Sequence, residues 1–153
     1  MNEIIVSTRL AAEADVVWER VASLEGVNYE LGPWITMTAP EGARIDIESV
    51  PLGQKWFRSW VFFARVVPFD YDDLCVMELE PGRRFLERSS MLSASVWEHE
   101  RTLDPLPGGG TRLTDRVAFE PRLPFTARIH QAVIHAIFRH RHRRLLRVFG
   151  QPA

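Results

Sequence analysis

The chain of 153 residues has the length of one domain and can bury a substantial core. It is 46% hydrophobic and 25% charged with a formal net charge of −1, an ordinary globular mix that creates no global field for nucleic acid or an anionic membrane. A single cysteine, Cys75, excludes an internal disulfide and a cysteine-based metal site, and is expected to be buried as a small hydrophobe.

The opening MNEIIVSTRL lacks the basic start and long apolar run of a signal peptide, and no apolar stretch reaches bilayer-spanning length. A cytoplasmic protein without stable membrane insertion is expected. Residues 3–10 read as a strand, with Ile4, Val6, Thr8 and Leu10 on one face. From Ala12 to Leu24 the period changes to that of a helix, carried by Val17, Val21 and Leu24 with Asp15 near its N-terminus. Gly26 and Gly32-Pro33 leave room for a second short helix around Val27–Leu31.

Strands dominate after Pro33. ITMTA (35–39) and ARIDIES (43–49) flank a Pro-Glu-Gly turn. KWFRSWVFFARVV (55–67) has apolar side chains on both faces and predicts a central, doubly covered strand. Its outer set would be covered elsewhere, a contact between two copies in a homodimer being one way. A polar loop at 68–73 precedes LCVMELE (74–80), and Pro81-Gly82 turns the chain into RRFLERSSM (83–91). Two more strands lie in VWEHERTLDPLPGGGTRLTDRVAFEP (96–121). The GGG between them has no phosphate-loop lysine or following helix and reads as a hairpin loop; no cofactor is expected.

The segment 124–149 predicts one long helix with Pro124 at its start. Phe125, Ile129, Val133, Ala136, Ile137, His140, Leu145 and Val148 trace its apolar stripe. His130, His135 and His142 are then expected to face solvent. Their spacing with His140 does not suit a metal, so none is expected. RHRHRR (139–144) reads as a solvated helix end rather than a nucleic-acid patch. One helix covering an antiparallel sheet gives an α+β fold.

The late hairpin carries an anomaly. On its first strand Trp97, His99, Arg101 and Leu103 share a face, and on its second Leu113, Asp115, Val117 and Phe119 do. A turn centred near Pro107–Gly108 sets Leu103 opposite Leu113, Arg101 opposite Asp115 and His99 opposite Val117. Phe85 and Glu87 alternate onto the same face of the preceding strand. If the apolar residues point inward, four ionisable groups go with them. They are either a buried pair with its supports, fixing register, or a site. A β-bulge between Val96 and Leu103 would turn His99 to water.

ADVVWERVASLEGVNYELGPW, PGRRFLERS, WEHERTLDPLPGGGTRLTDRVAFEPRLP and FRHRHRRL together resemble the START/Bet v 1-like superfamily, also called SRPBCC or polyketide cyclase/dehydrase-like proteins. The resemblance covers essentially the whole chain as one domain, 1–153. It implies a helix-grip fold: a curved antiparallel sheet of six to seven strands around a long C-terminal helix, two short helices plugging one end, and a cavity between for an apolar or aromatic molecule. Members often carry an acidic residue and a histidine where this chain has Glu87 and His99.

Given such a cavity, its expected lining is Trp60, Phe85, Glu87, Trp97, His99 and Arg101 from the early and middle strands. Leu113, Asp115 and Val117 come from the last strand, and Ile129, Val133 and Ile137 from the helix. In a binder, Arg101 and His99 would hydrogen-bond a carboxylate, phenol or carbonyl at the polar end of the ligand. In a cyclase- or dehydratase-like enzyme, His99 would move a proton and Arg101 stabilise an enolate, with Asp115 holding Arg101 and Glu87 tuning His99. A lipid or quinone carrier, or an assembly factor, is the third reading, and it would carry an exposed apolar rim. Binding of a small, largely apolar molecule is the simplest.

Overall fold

The computed structural model describes residues 1–41 and 46–153. Strand β1 (Asn2–Leu10) leads into helix α1 (Ala14–Val21) and helix α2 (Leu24–Leu31). Gly26 does not interrupt the second helix. Its N–H is capped by Ser23 Oγ at 3.0 Å, and a Cβ there would sit 1.8 Å from the Arg20 carbonyl oxygen. Only glycine allows α2 to start this close to the end of α1.

Strands β2 (Ile35–Met37), β3 (Lys55–Phe63), β4 (Val67–Glu80), β5 (Arg84–Met91), β6 (Ala94–Pro105) and β7 (Thr111–Pro121) follow. All pairings are antiparallel, in the order β1-β7-β6-β5-β4-β3-β2, and the sheet curls into a half-barrel. A short 3₁₀ turn (Pro124–Thr126) precedes helix α3 (Ala127–Phe149), which lies against β1, β7 and α2. Among the described residues no helix is long and apolar enough to cross a membrane.

Two apolar clusters join α3 to the sheet. Leu145 packs with Leu10, Leu103, Leu113 and α1, and Ile134 and Phe138 pack with Ile4, Val117 and Phe119. Here α3 sits directly on β1 and β7, so this half of the concave face is filled core.

Several expectations need correction. Of the expected strand 43–49, residues 43–45 lie outside the described residues, and Ile47–Ser49 forms a 3₁₀ turn held by the Asp46 side chain on Glu48 N (3.0 Å). Strand β3 is not central but next to the short edge strand β2, and it ends at Phe63. Its outer face is only partly covered: Trp60 remains 44% exposed beside Tyr71. The segment 68–73 is the first half of β4 rather than a loop. Its inward residues there are Asp70 and Asp72, which hid the alternation that marks a strand. Cys75 is half-buried, its Sγ 3.7 Å from Met77 Sδ.

The buried stripe of α3 is also rotated from the expected one. Ile134, Phe138, Arg141, His142 and Leu145 face inward, whereas Phe125 just before the helix is 83% exposed. Two polar residues belong to the buried face because partners await them, so hydrophobicity alone misplaced it. RHRHRR is therefore not wholly a solvated end.

Candidate functional site

The hairpin register is the expected one: Leu103 opposes Leu113, Arg101 opposes Asp115 and His99 opposes Val117. The irregularity in β6 falls between Ala94 and Val96, before the site, so His99 keeps its inward facing. Arg101, Asp115, His99 and Glu87 are all buried.

Arg101 lies at the centre of a buried network. Its Nε and Nη2 donate to Asp115 Oδ1 and Oδ2, both at 2.7 Å. Its Nη1 and Nη2 donate to Glu30 Oε2 and Oε1 at 3.1 and 2.9 Å. Glu30, from α2, accepts also from Arg141 Nε of α3 at 3.1 Å. Asp115 takes two further bonds, from His99 Nε2 and His142 Nε2, each 2.7 Å. His142 Nδ1 in turn lies 2.8 Å from Thr8 Oγ1 of β1.

Burial alone would raise both carboxyls, but their partners win. Asp115 is held well below the usual carboxylate range by the Arg101 charge and hydrogen bonds, with His99 and His142 adding. Glu30 is lowered by the charges of Arg101 and Arg141.

Above this network lies a cavity of about 390 Å³ between α3 and the half of the sheet that α3 does not fill. That volume falls in the range of small-molecule pockets, about 300–1,000 Å³. Its walls are mainly apolar: Trp56, Phe57, Phe85 and Trp97 from the sheet, and Ile129, Val133, Ile137 and Phe138 from the helix side. Phe85 and Phe138 each meet the His99 ring edge-on, at 5.2 and 5.0 Å between centroids.

Asp72, Glu87 and His99 form one polar cluster in the cavity wall. His99 Nδ1 is 3.8 Å from Glu87 Oε2, too long for a hydrogen bond. Ser89 Oγ donates to Glu87 Oε1 at 2.7 Å. Burial would raise Glu87, but contacts with His99, Asp72 and Ser89 bring it below its ordinary value. Asp72 goes the other way. Burial, then the neighbouring Glu87 charge, push its carboxyl well above the ordinary value, and its Oδ1 has no hydrogen-bond partner among the described residues. The site thus sets side by side two carboxyls with opposite tendencies, Asp72 towards holding its proton and Glu87 towards releasing it, in apolar surroundings.

Arg141 borders the same cavity. Its guanidinium lies 4.8 Å from the Phe138 ring centroid, and among the described residues its hydrogen-bond partner is Glu30, through Nε.

Of the expected lining, Phe85, Glu87, Trp97, His99, Ile129, Val133 and Ile137 border the cavity. Five residues do not. Trp60 projects from the outer face of β3, where alternation turns Ser59 and Val61 inward instead. Leu113 and Val117 are core under α3, because β7 lies in the filled half. Arg101 and Asp115 lie in the buried network, saturated by each other and by Glu30, His99 and His142.

Sequence reasoning missed Glu30, Asp72, Arg141 and His142. His142 was expected in solvent but is buried, whereas His130 stacks on Phe119 at 6.2 Å and His135 is exposed. His140 meets the Gly32 carbonyl oxygen at 2.6 Å. A usable signal existed for Glu30: an acidic residue one step from Leu31 on the buried side of a short amphipathic helix. Asp72 had none, because its strand was not recognised.

Several solved structures share this architecture. Protein CV1439 from Chromobacterium violaceum matches with a TM-score of 0.72 at 15% identity, covering 97% of each chain. A START superfamily protein from Mycobacterium smegmatis matches at 0.65 and 11% identity, covering 95% of this chain and 98% of the other. The Zhui aromatase/cyclase from Streptomyces sp. R1128 matches at 0.63 and 17% identity, covering 95% and 91%. At these identities the likeness shows the fold alone, the START/Bet v 1-like fold. A comparison with curated protein sequences finds no match. The family described as domain of unknown function DUF8410 matches over residues 8–149, and the chain belongs to it.

Proposed function

We propose that the cavity binds a small, largely apolar or aromatic molecule by its body and fixes one polar end at the Asp72–Glu87–His99 cluster. The observation that carries this reading is the pairing of a mainly apolar cavity of about 390 Å³ with the mutually contacting Asp72, Glu87 and His99 in its wall. Phe85, Trp97 and Phe138 supply flat apolar surface for the body, and aromatic burial is where most of the affinity would come from. Asp72, whose raised carboxyl favours the protonated form, would donate a hydrogen bond to the ligand, and Glu87 would accept one.

The role first given to Arg101 passes to Arg141. Arg101 has its donors engaged by Asp115 and Glu30, whereas Arg141 borders the cavity and bonds Glu30 through its Nε. A carbonyl, phenol or carboxylate oxygen of the ligand would accept from the Arg141 guanidinium.

Native mass spectrometry of the protein purified from its own host, with denaturing release of bound material, tests the reading. One co-purifying apolar molecule is expected. A protein that arrives empty, and that also fails to enhance the fluorescence of anilinonaphthalene sulfonate, would overturn it.

One observation favours a second reading, a cyclase- or dehydratase-like enzyme. An acid (Asp72) next to a base (Glu87) and a histidine in apolar surroundings could shuttle a proton at a carbonyl. On that reading His99→Ala abolishes turnover while the ligand still binds. If His99→Ala loses binding and turnover together, positioning alone explains the cluster.

A further inference from the structure

At the end of the half-barrel that carries the β3–β4 and β5–β6 turns, residues bordering the cavity adjoin a rim of exposed apolar side chains. Val66 at the tip of the β3–β4 turn is 73% exposed, Phe125 at the start of the helical segment 83%, and Ile129 one turn on 67%. Trp34, Phe69 and Leu92 are exposed too.

These residues come from separate segments that hydrogen bonds gather at one end. Ala64 N donates to Trp34 O (2.8 Å), tying the β3–β4 turn to the start of β2. Leu92 N donates to Tyr71 O (3.3 Å), and Arg122 N donates to Ser93 O (3.1 Å), tying in the β5–β6 turn and the link to α3. Phe69, Ile129 and Val133 belong both to the rim and to the cavity wall.

The charge of the rim is one-sided. Across 63–69, 91–93 and 122–133 the charged residues are Arg65, Arg122 and Arg128, and the carboxylates flanking these segments are the buried Asp70 and the exposed Glu120 of β7. Ala64 and Arg65 also hold φ values of 51° and 64°, a left-handed backbone that non-glycine residues rarely adopt. This turn presents Arg65 and Val66 together at its tip.

We propose that this rim docks on an anionic lipid surface, with Val66, Phe125 and Ile129 entering the interface and Arg65 and Arg128 meeting acidic headgroups. Exposed apolar side chains flanked by Arg65 and Arg128 match such a surface in both polarity and charge. A patch this apolar is not a neutral feature of a soluble face. The cavity would open onto the bilayer, so an apolar ligand could pass between them without crossing water. Only this last consequence rests on the ligand-binding reading.

Vesicle sedimentation tests the docking. The full chain should bind vesicles of phosphatidylcholine and phosphatidylglycerol in equal parts, bind phosphatidylcholine alone far more weakly, and release as salt rises. Arg65→Gln and Arg128→Gln should each weaken binding about fivefold, the ~1 kcal/mol carried by one basic residue near an anionic surface. Val66→Asp with Phe125→Asp should weaken it more than tenfold. Fluorescence of bound anilinonaphthalene sulfonate should persist in all variants, showing that fold and cavity survive.

Absence of vesicle binding, or binding unaffected by either pair of substitutions, overturns the proposal. So does a dimer seen by light scattering that the aspartate pair dissociates while vesicles are ignored, since a second copy then covers the rim. A protein that binds vesicles but holds no ligand would leave the docking in place and remove the ligand reading.

Discussion

Arg101 and Asp115 oppose each other across the β6–β7 register and join through two hydrogen bonds of 2.7 Å. The other edge of the same guanidinium holds Glu30 of α2, and Glu30 holds Arg141 of α3. One side chain therefore links two strands directly and two helices through a shared carboxylate. Arg101→Met leaves Asp115 and Glu30 buried without their main counter-charge, at a cost of about 3–5 kcal/mol. Equilibrium urea unfolding measures this. A loss under about 1 kcal/mol would mean that water reaches the network and that its burial contributes little.

Both carboxyls of this network lie below their unfolded values, which fixes the sign of the acid dependence. As pH falls, the unfolded chain takes up protons at these positions before the folded one does. Their stabilisation is full above the unfolded carboxylate range near about pH 4, and is lost as pH drops through the lower folded values. Urea midpoints should fall steeply there, and Asp115→Asn should flatten the slope while lowering stability at neutral pH. An unchanged slope in Asp115→Asn would assign the acid limb to other groups.

Asp72 carries the opposite sign. Its folded carboxyl lies well above the unfolded value, so its favourable contribution is full below the ordinary carboxylate range and disappears as pH rises through the raised value. Asp72→Asn keeps a neutral hydrogen-bonding group and removes that loss. The variant should gain stability relative to the parent as pH rises, read as a widening gap between thermal midpoints. Two curves running parallel across pH would show that Asp72 ionises without penalty.

Much of the fold was legible because period and turn chemistry agreed. The β6–β7 register followed from two alternating segments around Pro107–Gly108, and it set Arg101 against Asp115. The places that misled are those where polar residues occupy buried faces. Asp70 is one: it accepts from Tyr71 N at 2.8 Å and from Ser93 N at 3.2 Å, and with Asp72 it made a strand look like a loop. Arg141 and His142 similarly rotated the apparent stripe of α3. Their burial depends on Glu30 and Asp115, partners far away in sequence, and periodicity within one segment carries no record of them. The same cause explains Leu113 and Val117: alternation shows that they face inward, not that α3 covers β7 and leaves the cavity to the other strands.

That division of the concave face predicts separable variants. Val133 is half exposed and borders the cavity, whereas Leu145 is fully buried between α3, β1 and β7. Val133→Trp adds volume where space exists, so stability should change by less than about 1 kcal/mol, the usual limit for a substitution outside the packed core. Affinity for a cavity probe should fall at least about tenfold, because the ring takes the place of the ligand body. Leu145→Ala should do the reverse, costing about 2–5 kcal/mol of stability through lost contacts and a new void. Its probe affinity, measured by fluorescence titration well below the unfolding midpoint, should stay near that of the parent. If Leu145→Ala and Val133→Trp lowered probe affinity equally, the packed half and the cavity would be one continuous space, and the placement of the ligand over β3–β6 would be wrong.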